Sequence, residues 1–184
     1  MADATLEDYI RVRAQADCLF TPEQVSEAVA ALALRMAPGL AERNPLVLCV
    51  MNGGFRFCSD LLGHWDFPLE FDYLQATRYR GRTRGGSLQW LHTPAQGLAG
   101  RHVLVVDDIL DEGLTLAAIQ RYCSEAGALT VQSAVLVDKQ LARQAAQADF
   151  VALVAPDRYL FGEGMDYKGF GRNLRGIHAV GEPA

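Results

Sequence analysis

The sequence predicts an α/β fold with a central, mostly parallel sheet flanked by helices. Three observations point there. Short apolar runs rich in β-branched residues recur at Leu46 to Met51, Val103 to Val106, Val131 to Val137 and Phe150 to Val154. That is the composition of strands buried on both faces. Stretches of helical period separate them, as the crossovers of parallel strands require. Twice, a strand runs into a glycine turn that opens a helix, at Asn52-Gly53-Gly54 and at Glu112-Gly113-Leu114-Thr115. Ligands of open α/β sheets bind outside such carboxyl ends.

Taken in order, residues 5–17 predict a short amphipathic helix around Leu6, Ile10 and Val12. Thr21-Pro22-Glu23-Gln24 marks a second start: Thr21 caps, Pro22 suits the first helical position, and Gln24 completes a capping box. That helix is expected to pass Val25, Val29, Leu32 and Met36 and stop at Pro38-Gly39. After the strand Leu46 to Met51, the residues Phe55, Cys58, Leu61 and Leu62 give a helical period. Leu69 to Leu74 alternates as a half-exposed strand, and Ser87 to Leu91 resumes a strand pattern. Thr77 to Gly86 between them is polar, basic and Gly-rich. It reads as a mobile flap closing over a site. A solvated hairpin loop and a nucleic-acid arm are the alternatives, the second lacking an aromatic stacking platform.

Residues 101–116 organise the rest. The apolar run Val103 to Val106 stops on Asp107 and Asp108, Asp111 follows, and the Gly113 turn leads into a helix reaching about Ala126. A helix N-terminus offers N–H groups and a positive dipole end to an anion. Paired carboxylates repel an anion unless they face hydroxyls, a cation or a protonatable atom. A sugar phosphate satisfies both halves: Asp107 and Asp108 accept from ribose hydroxyls, and the turn with Thr115 holds a 5-phosphate. A capped βα junction with solvated acids is the plainer alternative. Further on, Ala126-Gly127-Ala128 marks a helix end, Val131 to Val137 a strand, and Asp138-Lys139 its carboxyl end, where a lysine can donate to a carbonyl. Phe150 to Val154 is the last parallel strand, and Ile177 to Val180 is expected to return at an edge.

Composition bounds the reading. With 184 residues, half of them hydrophobic and 21% charged, the chain is expected to form one domain, 1–184. A net charge of −5 counts against non-specific nucleic-acid binding, which needs a basic footprint. No apolar run approaches the roughly 20 residues of a membrane span. The acidic N-terminus lacks the features of a signal peptide, so a cytoplasmic protein is expected. The cysteines and histidines show no metal-ligand spacing.

Asp-Asp-Ile-Leu-Asp-Glu-Gly-Leu-Thr, residues 107–115, resembles the signature of the type I phosphoribosyltransferases, which bind phosphoribosyl pyrophosphate (PRPP). The segment Pro156 to Tyr167 is similar to the Pro-Asp-x-Phe-Val-x-Gly-x-x-x-Asp-Tyr segment of hypoxanthine-guanine phosphoribosyltransferases, and Asp138-Lys139 is in register with it. The match runs from about Pro45 to Val180. It implies the type I fold, with a flap near 76–92 and a hood built from the N-terminal segment and about 156–184. It also implies magnesium-dependent transfer from PRPP to N9 of hypoxanthine or guanine. Xanthine-guanine transfer and a PRPP-binding regulator on the same fold are the alternatives. A homodimer or homotetramer is implied, with neither nucleic acid nor membrane as partner.

Site roles follow residue by residue. Met51, Asn52 and Gly53 match the pyrophosphate loop, with a cis peptide between Met51 and Asn52, and Arg172 pairs with the same group. Asp107, Asp108, Asp111, Glu112, Gly113, Leu114 and Thr115 hold the ribose 5-phosphate, Asp111 also serving as general acid/base. Lys139 contacts the purine 6-oxo group, Tyr159 stacks on the ring and the Leu160 backbone reads its edge. Asp166 is grouped with these purine residues and also holds magnesium at the pyrophosphate, with Asp107 and Asp108 as further magnesium candidates. Arg78-Tyr79 stands at the flap's usual Ser-Tyr pair. Asn52 replaces a usual lysine, and Glu112 and Leu114 stand where Thr and Lys are common. The Glu112 side chain is therefore expected to point away from the anion. Arg78, Arg80, Arg82 and Arg84 are candidates to offset the missing lysine.

Overall fold

A computed structural model describes residues 5–78 and 88–181. Six strands form the main sheet: β2 (Leu46–Met51), β3 (Glu70–Arg78), β4 (Leu88–His92), β5 (His102–Leu110), β6 (Thr130–Asp138) and β7 (Phe150–Val154). Their order is β4-β3-β2-β5-β6-β7, parallel throughout except for the antiparallel edge strand β4. The helices α2 (Pro22–Leu40), α3 (Phe55–Leu62) and α4 (Leu114–Glu125) cover it. Side-chain alternation on β2 feeds two cores. Val47 and Cys49 pack with Val29, Leu32 and Leu61 of α2 and α3. Leu46, Leu48 and Val50 pack with Leu116, Ile119 and Cys123 of α4 on the other face. Both faces of the central strands are therefore dry, which is why their sequences are apolar runs. The cysteines are all free, and three of them are buried.

A second, three-stranded sheet joins the two terminal segments. β1 (Asp17–Phe20), β9 (Ile177–Ala179) and β8 (Leu160–Phe161) lie in that order, all antiparallel. Four expectations change here. The first helix, α1 (Leu6–Ala14), is shorter than 5–17, because residues 17–20 leave it to pair with β9. Ile177 to Ala179 is the middle strand of this small sheet, where an edge strand was expected. The helix α2 continues past Pro38 to Leu40, whose buried side chain and the Ala41 N–H bond to the Ala37 carbonyl (2.9 Å) hold the last turn. The strand β5 does not stop at Val106, because Asp107 pairs with Val135 and Leu110 with Asp138.

The capping box at Thr21 and Gln24 forms as the sequence predicts. The strands β3 and β4 take up residues 76–78 and 88–92 of the expected flap, and residues 79–87, with Tyr79, Arg80, Arg82 and Arg84, lie outside the described residues. Among the described residues no helix is long and apolar enough to cross a membrane.

Candidate functional site

Because β2 and β5 are adjacent and parallel, with Cys49 opposite Val106, their carboxyl ends deliver two loops side by side. The fit between them is tight. A Cβ built on Gly53 would lie 1.9 Å from the Asp108 Oδ2, and one on Gly54 would lie 2.8 Å from the Val106 carbonyl oxygen. Only glycine leaves room for the acid against this backbone. The peptide bond between Met51 and Asn52 is cis. Asp107 accepts from the Asp108 N–H at 2.9 Å. Desolvation, and then the charge of Asp108, push the Asp107 carboxyl well above the ordinary carboxylate range. Desolvation raises Asp108 as well, opposed by its hydrogen bond with Asp107 and by the positive charge of Arg172.

Beyond these acids the chain turns at Gly113, which precedes α4 with φ of 74°. The segment 144–146 lies against this turn: a Cβ on Gly113 would meet the Ala146 nitrogen at 2.8 Å, and the Ala145 N–H donates to the Glu112 carbonyl at 2.8 Å. The Gln144 amide nitrogen donates to the Asp111 carbonyl at 3.1 Å and to the Asp138 carboxylate at 2.8 Å. Leu114 is exposed on the first helical turn, and Thr115 beside it is half-buried.

The third loop comes from β6. The Lys139 ammonium donates to Asp111 Oδ2 at 3.2 Å and to Asp157 Oδ1 at 3.3 Å. Tyr159 is half exposed, with its ring set edge-on to Tyr167 at 5.5 Å, and Leu160 is anchored in β8 opposite Ala179. Asp166 pairs with the Arg172 guanidinium at 2.5 Å and caps the Gly169 N–H at 2.6 Å. Arg172 also donates to the Gly164 carbonyl at 2.7 Å. Gly164 in turn lies on the first loop, its position leaving 2.1 Å between an added Cβ and the Gly53 carbonyl oxygen. The structure thus brings Gly53 against Asp108, Gly164 and Arg172 beside Gly53, and Lys139 onto Asp111. Arg172 and Asp166, given separate roles from the sequence, are partners of each other.

Three contributors escaped the sequence reading. Asp157 shares Lys139, Gln144 ties the Asp111 loop to Asp138, and the buried Glu163 receives Arg56 from α3 and the Gly176 N–H at 2.6 Å. Asp157 sat inside a quoted motif, directly after Pro156. Nothing local marks Gln144 or Glu163, because Asp111 lies 33 residues from Gln144 and Arg56 lies 107 from Glu163.

A family model described as Phosphoribosyl transferase domain matches residues 19–168. The hypoxanthine-guanine-xanthine phosphoribosyltransferase of Tritrichomonas foetus is 32% identical over 158 residues, which are 85% of this chain and 86% of the relative. The hypoxanthine-guanine phosphoribosyltransferase of Streptococcus pneumoniae is 31% identical over 166 residues, 89% of this chain and 92% of the relative. A solved hypoxanthine-guanine-xanthine phosphoribosyltransferase aligns with a TM-score of 0.82 at 30% identity, covering 90% of this chain and 97% of that one. A Bacillus anthracis hypoxanthine-guanine phosphoribosyltransferase aligns with a TM-score of 0.81 at 29% identity, covering 89% and 96%.

Proposed function

This chain belongs to the phosphoribosyl transferase family, and from that premise we infer that it is a purine-salvage enzyme. It transfers the 5-phosphoribosyl group of PRPP to N9 of hypoxanthine or guanine and releases pyrophosphate. The observation that carries this reading is the convergence of three loops at the carboxyl ends of β2, β5 and β6. The Gly53 loop lies on Asp108, and Lys139 reaches across to Asp111.

The chemistry follows from the side chains. Asp107 and Asp108 accept from the ribose hydroxyls and put negative potential near the sugar as its bond to pyrophosphate breaks, much as in glycoside cleavage. The turn at Gly113, with Thr115, holds the 5-phosphate at a helix N-terminus. Asp111 moves the purine proton at N7 as general acid/base. Lys139 donates to the 6-oxo group and disfavours adenine, whose amino group would set a donor against a donor. Tyr159 stacks on the ring, and the Leu160 backbone reads its edge. Arg172 and the Met51–Gly53 loop take the pyrophosphate. The flap expected at about 76–92 would exclude water, the competing nucleophile.

A magnesium ion fits the donors available. Among the described residues no three His, Cys, Asp or Glu side chains form a closed metal cage. Magnesium asks for less, usually one or two carboxylates with substrate phosphates and water. Asp166 is the first candidate, with Asp107 and Asp108, whose crowded negative charge a cation would relieve. When bound with PRPP, magnesium neutralises the departing pyrophosphate. We extend the same reading to a cytoplasmic homodimer or homotetramer, which sedimentation velocity would resolve.

The test is product formation from PRPP and magnesium with hypoxanthine, guanine, xanthine and adenine in turn. Nucleotide from hypoxanthine or guanine is expected, falling by about 10²- to 10⁴-fold in Asp111→Asn, the usual range for a positioned acid/base. No turnover with any base would overturn the reading. Xanthine belongs in the panel because the Tritrichomonas foetus relative carries it in its name.

A further inference from the structure

Lysine has three N–H donors, no acceptor and a flexible four-carbon stem. The Lys139 side chain is only 8% exposed, so its stem is held, while its two carboxylate partners stand largely in solvent. Those partners come from different parts of the chain. Asp111 follows β5, and Asp157 opens the segment that carries Tyr159 and Leu160. Among the described residues two of the three donors are therefore taken, at 3.2 Å by Asp111 and 3.3 Å by Asp157. One donor remains for a ligand acceptor.

The two acids are not equivalent in the reaction. Asp111 must turn to the purine proton, and at that moment it is a poorer partner for the ammonium. A lysine aimed by Asp111 alone would lose its aim during the step that needs it. Asp157 has no such second task. We propose that Asp157 is a positioning residue that keeps the Lys139 ammonium aimed at the purine 6-oxo group while Asp111 exchanges its proton. The inference rests on the assignment of the crevice to a 6-oxopurine acceptor. It assigns Asp157 to recognition of the base and gives it no part in binding PRPP.

The experiment is steady-state kinetics of Asp157→Asn and Asp157→Glu beside the wild type. Hypoxanthine is varied at saturating PRPP and magnesium, and PRPP is then varied at saturating base. Asp157 is exposed on the crevice rim, so both variants should fold, and a thermal melt checks it. Because an exposed charge pair is weak and Asp111 still holds the ammonium before the proton moves, Asp157→Asn should lower kcat with hypoxanthine by about fivefold, with the KM for hypoxanthine and the KM for PRPP within about twofold. Asp157→Glu, which keeps the charge, should recover most of that loss. An unchanged kcat with hypoxanthine, or a rise in the KM for PRPP, would overturn the proposal while leaving the transferase assignment intact. A wild-type protein inert with every base would overturn that assignment, and this inference with it.

Discussion

Asp107, proposed to hold the ribose of PRPP, shows what such a site would cost the protein that carries it. Its carboxyl lies beside another carboxyl at the half-buried end of β5, and desolvation lifts its pKa before any ligand arrives. The folded chain therefore keeps a proton there that the unfolded chain has already released. Stability falls as pH rises from the ordinary carboxylate range toward the raised value, and below that range the effect vanishes because both states are protonated. Asp107→Asn should thus stabilise the ligand-free protein near pH 8 by on the order of 1 kcal/mol, read as a higher melting temperature, and the gain should shrink toward pH 4. The same variant should bind PRPP less well, since an amide is a weaker acceptor for hydroxyls than a carboxylate. Thermal melts at the two pH values and a PRPP titration check both halves. Equal melting temperatures near pH 8 would show that the desolvation cost is not felt. Active sites commonly trade stability for function in this way.

At the scale of elements, the loop–helix junction around Gly113 explains why the central motif is readable from sequence. A turn into a helix at φ of 74° asks for glycine, and the segment 144–146 leaves no room for a side chain there. Gly113→Ala should cost about 2 kcal/mol, combining left-handed strain with the contact at Ala146, as urea denaturation would read. A loss no larger than that of an ordinary exposed helix substitution would mean that the segment 144–146 yields easily. Local rules also made α2 legible, since Thr21, Pro22 and Gln24 lie within one turn and report on the same four N–H groups. The same rules failed at Pro38 and at Asp107. In the first case buried Leu40 outweighs the missing N–H of proline, and in the second the neighbouring strand β6 continues the ladder through the acids. Both were decided by partners outside the element.

At the scale of the molecule, one contact system docks the small terminal sheet on the main one. Glu163 is almost fully buried, and Arg56 reaches it from α3, two residues after the Gly54 turn. Gly176 caps the same carboxylate, and Gly164 next to it rests on Gly53. The segment around Glu163 and Gly164 and the Met51–Gly53 loop are therefore one mechanical unit. Breaking a buried pair leaves a charge without its partner, so Glu163→Ala should cost about 3 kcal/mol, whereas Asp8→Ala, which breaks the exposed pair with Arg11, should cost less than about 0.5 kcal/mol. Urea midpoints of the two variants make the comparison, and equal shifts would contradict the docking role.

By itself the sequence determined the sheet strands at the heart of the fold, the two glycine turns and the acids and lysine that follow them. These are legible because period, turn chemistry and charge are written within a few consecutive residues. Only the tertiary structure decided that residues 17–20 form a strand, that Asp166 pairs with Arg172, that Lys139 is shared with Asp157, and that Gly164 rests on Gly53. Each of those facts joins segments separated along the chain, and some depend on a gap of one atom's width. Local pattern carries no information about such distances, because packing sets them only after the layers have closed.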